Sequence, residues 1–158
     1  MTLAEDISLL SRVPLLSDLA SDHLRLLAFS GIRLELPAGR ILFKADSKAL
    51  SGFIIMSGEI EMSAHHGETV RSLGKFGPGS LLGETALFVE TRRPATATAL
   101  VDTVVVEIDR TLMSRMLTEY PEVATRLFVR LRQRLGDTVG ELAGVHAKLD
   151  ALHYPELP

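Results

Sequence analysis

A chain of 158 residues with 20 acidic and 17 basic side chains, a formal charge of −3 and no cysteine has room for one domain with a real core and a few appended helices. The acidic balance argues against nucleic acid as a direct partner, because phosphate-backbone binding rests on a concentrated positive field. The missing thiols exclude disulfides, iron–sulfur clusters, cysteine zinc sites and thiolate catalysis, and they suit a reducing cytoplasm.

Hydrophobic residues make up 46% of the chain, as expected of a compact globular protein. The apolar runs are too short to span a membrane. The opening Met1-Thr2-Leu3-Ala4-Glu5-Asp6 is acidic and has no apolar stretch behind it, unlike a secretory signal. The expected protein is cytoplasmic, with no membrane partner, and forms a single domain over residues 1–158.

Residues 1–30 read as helical. Leu9, Leu10, Val13, Leu16 and Leu19 fall at helical spacings, Pro14 stops or bends the first helix, and Ser21-Asp22 can cap a second one through Leu24, Leu27 and Ala28. From Gly31 to Asp109 the pattern shifts to short alternating or apolar runs separated by turn residues. Ile32-Arg33-Leu34-Glu35-Leu36 alternates, and Phe53-Ile54-Ile55-Met56 reads as a buried strand. Ser57-Gly58-Glu59 turns into Ile60-Glu61-Met62-Ser63, and His65-His66-Gly67-Glu68 reads as a hairpin tip. Phe76-Gly77-Pro78-Gly79 is a further turn, and Val104 to Ile108 a further strand. About seven or eight short strands at this spacing point to a sandwich or barrel.

Residues 110–152 are predicted to be helical again. Asp109 or Thr111 starts a short helix through Met113, Met116 and Leu117, and Pro121 suits the first position of a long one, with Glu122 favourable to its dipole. Phe128, Leu131, Leu135, Thr138, Leu142, Val145, Leu149 and Leu152 follow alternating three- and four-residue steps, about three and a half heptads. Two readings fit: a helix lying on its own barrel, or one strand of a homodimeric coiled coil. Gly136, Gly140 and Gly144 line one stripe of it. They either permit close backbone approach or make the helix easy to melt.

The chemistry-bearing run lies between Gly79 and Ala99. Gly83 lets a backbone N–H approach a ligand closely, and short turns of backbone N–H groups form anion nests. Arg93 supplies a planar, permanently charged fork for a phosphate. Glu84 can accept hydrogen bonds from a sugar hydroxyl, and the small Ala95 and Ala97 leave room for a buried ligand.

In order and spacing, Gly83-Glu84-Thr85-Ala86-Leu87 followed by Arg93-Pro94-Ala95-Thr96 resembles the phosphate-binding cassette of cyclic-nucleotide-binding domains. That family includes the catabolite activators and the regulatory subunits of protein kinase A. The likeness extends to Leu36-Pro37-Ala38-Gly39 with Ile41-Leu42-Phe43, to Ile54 through Ile60, and to the Phe76–Gly79 turn, about Leu9 to Leu149 in all. The resemblance implies a mainly β fold with flanking α-helices: an eight-stranded β-roll, or jelly-roll, with N-terminal helices, a cassette at 83–96 and a long C-terminal helix.

It also implies roles. Glu84 would bind the ribose 2′-hydroxyl, helped by the Gly83 backbone, and Arg93 would pair with the cyclic phosphate. Thr85, Ala86, Ala95 and Thr96 complete the ligand-contact set. Thr138 aligns near the threonine with which catabolite-activator relatives contact the adenine base. Arg92 reads as a solvated surface charge. Pro94 departs from the pattern: relatives carry Ala, Ser or Thr there, whose N–H meets the phosphate, and proline has none. The expectation is weakened binding, of cAMP in preference to cGMP, since cGMP-preferring relatives often use a threonine hydroxyl at that position.

No helix-turn-helix follows the long helix before Pro158, so the expected protein is a sensor acting on an unknown protein effector, through a homodimer, or by sequestering nucleotide. No cofactor and no catalysis are expected. The alternative is a degenerate domain that no longer binds nucleotide and serves as a dimerisation or interaction module. A metal-dependent cupin would need clustered ligands. Of the five histidines only His65 and His66 are close in sequence, and neighbours on a strand face opposite ways.

Overall fold

The computed structural model describes residues 2–17, 19–129 and 132. Three α-helices and ten strand segments are assigned among them. These are α1 (Leu3–Leu10), α2 (Ser21–Ser30), β1 (Ile32–Leu36), β2 (Ile41–Phe43), β3 (Lys48–Ala49), β4 (Ser51–Ser57), β5 (Ile60–His66), β6 (Thr69–Phe76), β7 (Leu81–Leu82), β8 (Thr91–Arg92), β9 (Thr96–Ala99), β10 (Thr103–Asp109) and α3 (Arg110–Glu119), with a 3₁₀ helix at Glu84–Leu87. Residues 121–129 are helical as well.

Helix α1 opens on a capping box. Thr2 accepts from the Glu5 N–H while the Glu5 carboxylate receives the Thr2 N–H, satisfying two end donors reciprocally. Helix α2 differs from its expected start. Its N-cap is Ala20, with extended backbone and no side-chain cap bond, and Ser21 is already helical. Asp109 caps α3 by accepting from the Leu112 N–H at 2.7 Å, and Pro121 takes the first helical position after Tyr120, where a missing N–H costs nothing.

The strands form a roll of two four-stranded antiparallel sheets, β1-β10-β4-β7 and β2-β9-β5-β6, with a small ribbon β3-β8 at one end. Ten segments replace the predicted seven or eight because β3, β7 and β8 are two residues each, and turn residues split what the hydrophobic pattern runs together. His65 and His66 belong to β5, so the hairpin tip is Gly67-Glu68, where Gly67 takes a left-handed φ of 64°.

Strand β4 is buried on both faces because its period-two alternation serves two cores. Phe53 and Ile55 point between the sheets with Leu36, Phe43, Ile60, Leu82, Ala97, Ala99 and Val105. Ile54 and Met56 point outward to the helices, joining Leu10, Leu16, Leu27, Val106, Met113, Met116, Val123 and Leu127. In helix 121–129, Val123 and Leu127 are thus spent on the protein's own core, whereas Phe128 is 41% exposed. Thr138, the glycine stripe and the rest of the heptad seam lie outside the described residues.

Candidate functional site

The two halves of the cassette come from different layers of the fold and meet at the β3-β8 end of the roll. Strand β7 pairs with β4, matching Leu82 with Phe53, and the chain leaves it through Gly83 in left-handed conformation, φ 75°. The 3₁₀ helix follows, with Ala86 and Leu87 buried and Leu87 in the helical core. Arg110, the first residue of α3, ties this half down. Its Nε donates to the Ala86 carbonyl and its Nη2 to the Ala49 carbonyl, both at 3.1 Å.

The second half is latched to the turn before β3. The Arg93 N–H donates to the Ser47 carbonyl at 2.8 Å, and the Asp46 N–H to the Arg93 carbonyl at 2.7 Å. The Ala45 N–H donates to Thr96 Oγ1 at 3.0 Å. Asp46 sits at φ 67°, a conformation aspartate tolerates better than most side chains. Arg92 is exposed as expected, yet its Nη1 donates to the Asp46 carbonyl at 2.7 Å. It therefore holds the turn rather than merely facing solvent.

Arg93 is 5% exposed. Its Cζ lies 4.3 Å from the Phe43 ring centroid and 5.4 Å from that of Phe53. Its Nη1 is buried with no hydrogen-bond partner among the described residues. Burial pushes the guanidinium below its ordinary pKa, and the Glu107 carboxylate pulls it back up. Glu107 receives a hydrogen bond from Ser51 Oγ at 2.7 Å. A buried donor without a partner costs roughly 1–3 kcal/mol, so this nitrogen is open to a hydrogen-bond acceptor.

Glycine at 83 is what admits the guanidinium. A Cβ there would overlap Arg93 Nη1 and lie 3.4 Å from the Ser51 carbonyl. Gly83→Ala is therefore expected to expel the Arg93 side chain as well as strain the left-handed turn by roughly 1–2 kcal/mol. Thermal unfolding should fall by several degrees, and anion binding should fall with it.

The structure sets the Gly83 backbone against the Arg93 side chain; Ala86 and Ala95 are buried, Glu84 and Thr96 are partly buried, and Thr85 and Pro94 are exposed. Thr96 spends its hydroxyl on the Ala45 backbone. Sequence reading misses Ser51, Phe53, Glu107 and Arg110 as parts of this site, and places Phe43 only as a strand residue. Glu107 carries a readable signal: it is the one charge in the run Val104–Ile108, on the same alternate face as Val105, which points between the sheets. Among the described residues no cluster of three metal-binding side chains occurs, and no helix is long and apolar enough to cross a membrane.

Residues 33–120 match the family model of the cyclic nucleotide-binding domain. The chain belongs to that family. A cyclic nucleotide-binding-like protein from Brucella abortus is 39% identical, with a TM-score of 0.67 over 72% of this chain and 97% of that one. The N-terminal domain of a Streptomyces coelicolor transcriptional regulator is 27% identical, with a TM-score of 0.81 over 85% and 94% of the two chains. The catabolite activator protein of Thermus thermophilus is 29% identical, with a TM-score of 0.71 over 84% and 63%. The fold is thus the β-roll of cyclic nucleotide-binding domains, mainly antiparallel sheet with flanking helices. Among curated proteins, neuropathy target esterase sws of Drosophila virilis is 30% identical over 100 residues, and this chain spans 7% of its length.

Proposed function

We propose that the chain is a non-catalytic cyclic-nucleotide sensor working as one domain in the cytoplasm, binding cAMP in preference to cGMP. The observation that carries this reading is the buried Arg93 guanidinium with its unpartnered Nη1, set inside the family's cassette. Arg93 takes the cyclic phosphate, Glu84 and the Gly83 backbone take the ribose, and Thr85, Ala86, Pro94, Ala95 and Thr96 shape the remaining wall. Thr138 contacts the base.

Signalling follows from how the cassette is tied. Arg110 joins the Ala86 carbonyl to the start of α3, and α3 leads directly into the helix beginning at Pro121. Phosphate capture at Arg93 then favours one placement of that helix, shifting a pre-existing equilibrium by the ligand's differential affinity for the two states. The readout is a protein effector or a second copy meeting the C-terminal helix.

Calorimetric titration with cAMP, cGMP and 5′-AMP tests the binding step. Saturable binding of cAMP, weaker binding of cGMP and recovery of unaltered nucleotide are expected. A second reading, an interaction module that has lost its ligand, draws on Pro94 and on an Arg93 N–H already committed to Ser47. Absence of heat and of thermal shift at millimolar nucleotide would establish that reading and overturn the first.

A further inference from the structure

We infer that Phe43 is a positioning residue for Arg93, holding the guanidinium by its ring face so that the in-plane N–H donors stay available for phosphate. This rests on the cyclic-nucleotide reading above. A cation can be held inside a protein by a carboxylate, which consumes donors of the fork, or by an aromatic face, which consumes none. Here the nearby carboxylate, Glu107, takes the Ser51 hydroxyl, and the guanidinium lies over Phe43 at 4.3 Å. Phe53 lies beside Phe43, its ring centroid 5.8 Å away with the planes tilted by 31° and 5.4 Å from the guanidinium carbon.

Strand register puts each ring beside one half of the cassette. Phe53 is matched with Leu82, the residue before Gly83. Phe43 is matched with Ala97, the residue after Thr96. The small alanine leaves the space into which a side chain can lean. The platform thus joins strands of both sheets, β2 and β4, under a single guanidinium. Lysine lacks the planar group that both the ring and the phosphate engage, so it does not replace arginine in this arrangement.

The test compares Phe43→Leu, which keeps apolar bulk and loses the ring face, with Phe43→Tyr, which keeps both. Two readouts are taken on the full chain: cAMP affinity by calorimetry, and the Arg93 guanidinium resonances by NMR, assigned by comparison with Arg93→Lys. Phe43→Leu is expected to weaken cAMP about tenfold, the size of one well-desolvated ring contact, while Phe43→Tyr stays within about twofold. In the wild type the Arg93 resonances should be ring-shifted both before and after cAMP is added. Wild-type affinity in a folded Phe43→Leu overturns the inference alone. So do Arg93 resonances at ordinary positions in the free protein, which need no variant to fold, or a guanidinium that leaves the ring when cAMP binds. A wild-type chain that binds no cyclic nucleotide overturns the functional reading, and this inference with it.

Discussion

Arg93→Ala is expected to lower cAMP affinity by roughly a hundred- to a thousand-fold while leaving the ligand-free protein folded. A guanidinium meeting a phosphate through two charge-assisted bonds contributes about 3–4 kcal/mol. Stability moves less, because two terms oppose each other. Alanine removes the stacking on Phe43 and Phe53, about 2 kcal/mol for a desolvated cation–aromatic contact. It also removes the buried, unpartnered Nη1, relieving a penalty of roughly 1–3 kcal/mol. The ligand-free Tm should therefore stay within several degrees of wild type. Calorimetry and thermal unfolding on the same preparation separate the two effects. Unchanged cAMP affinity in a folded Arg93→Ala protein would remove Arg93 from the site.

Pro94→Ala is expected to act in the opposite direction, tightening cAMP by about ten- to a hundred-fold. The backbone here is short of donors. The Arg93 N–H is committed to the Ser47 carbonyl, and proline brings none. One added N–H to a charged oxygen contributes about 1.5–3 kcal/mol. Pro94 is exposed, so alanine meets no packing obstacle, and the loss of a rigid φ costs no more than about 1 kcal/mol of stability. Competition titration against cAMP reads the change. An affinity equal to or below wild type would mean that the phosphate does not reach position 94.

The fold and the cassette are legible in sequence for the same reason: their signals are contiguous. Gly83 to Thr96 compresses a left-handed turn, a carboxylate, an apolar 3₁₀ turn and an arginine into fourteen positions of one strand-rich region. Alternation in Ile32–Leu36 and the apolar run Phe53–Met56 marks strands without help from the rest of the chain. The surroundings of Arg93 are not legible in that way. Phe43, Ser51, Phe53 and Glu107 come from three strands, and only register brings them together. Arg110 looks in sequence like an ordinary first-turn residue of α3, because the carbonyls it bonds, at Ala49 and Ala86, are supplied by other elements. Ser21 misleads for a local reason. The residue before it, Ala20, already has the extended backbone of a cap, so the helix begins without a side-chain cap.

The cassette is seated between the two cores. Leu87 packs with the helices, whereas Leu82 and Ala97 pack between the sheets. A molecule gripped by the carboxylate of one half and the guanidinium of the other is then a cross-link between two hydrophobic layers that otherwise share mainly β4 and β10. Its binding energy is spent on their mutual fit. On the proposed reading, helical layer and roll would open as a single cooperative unit once ligand is bound.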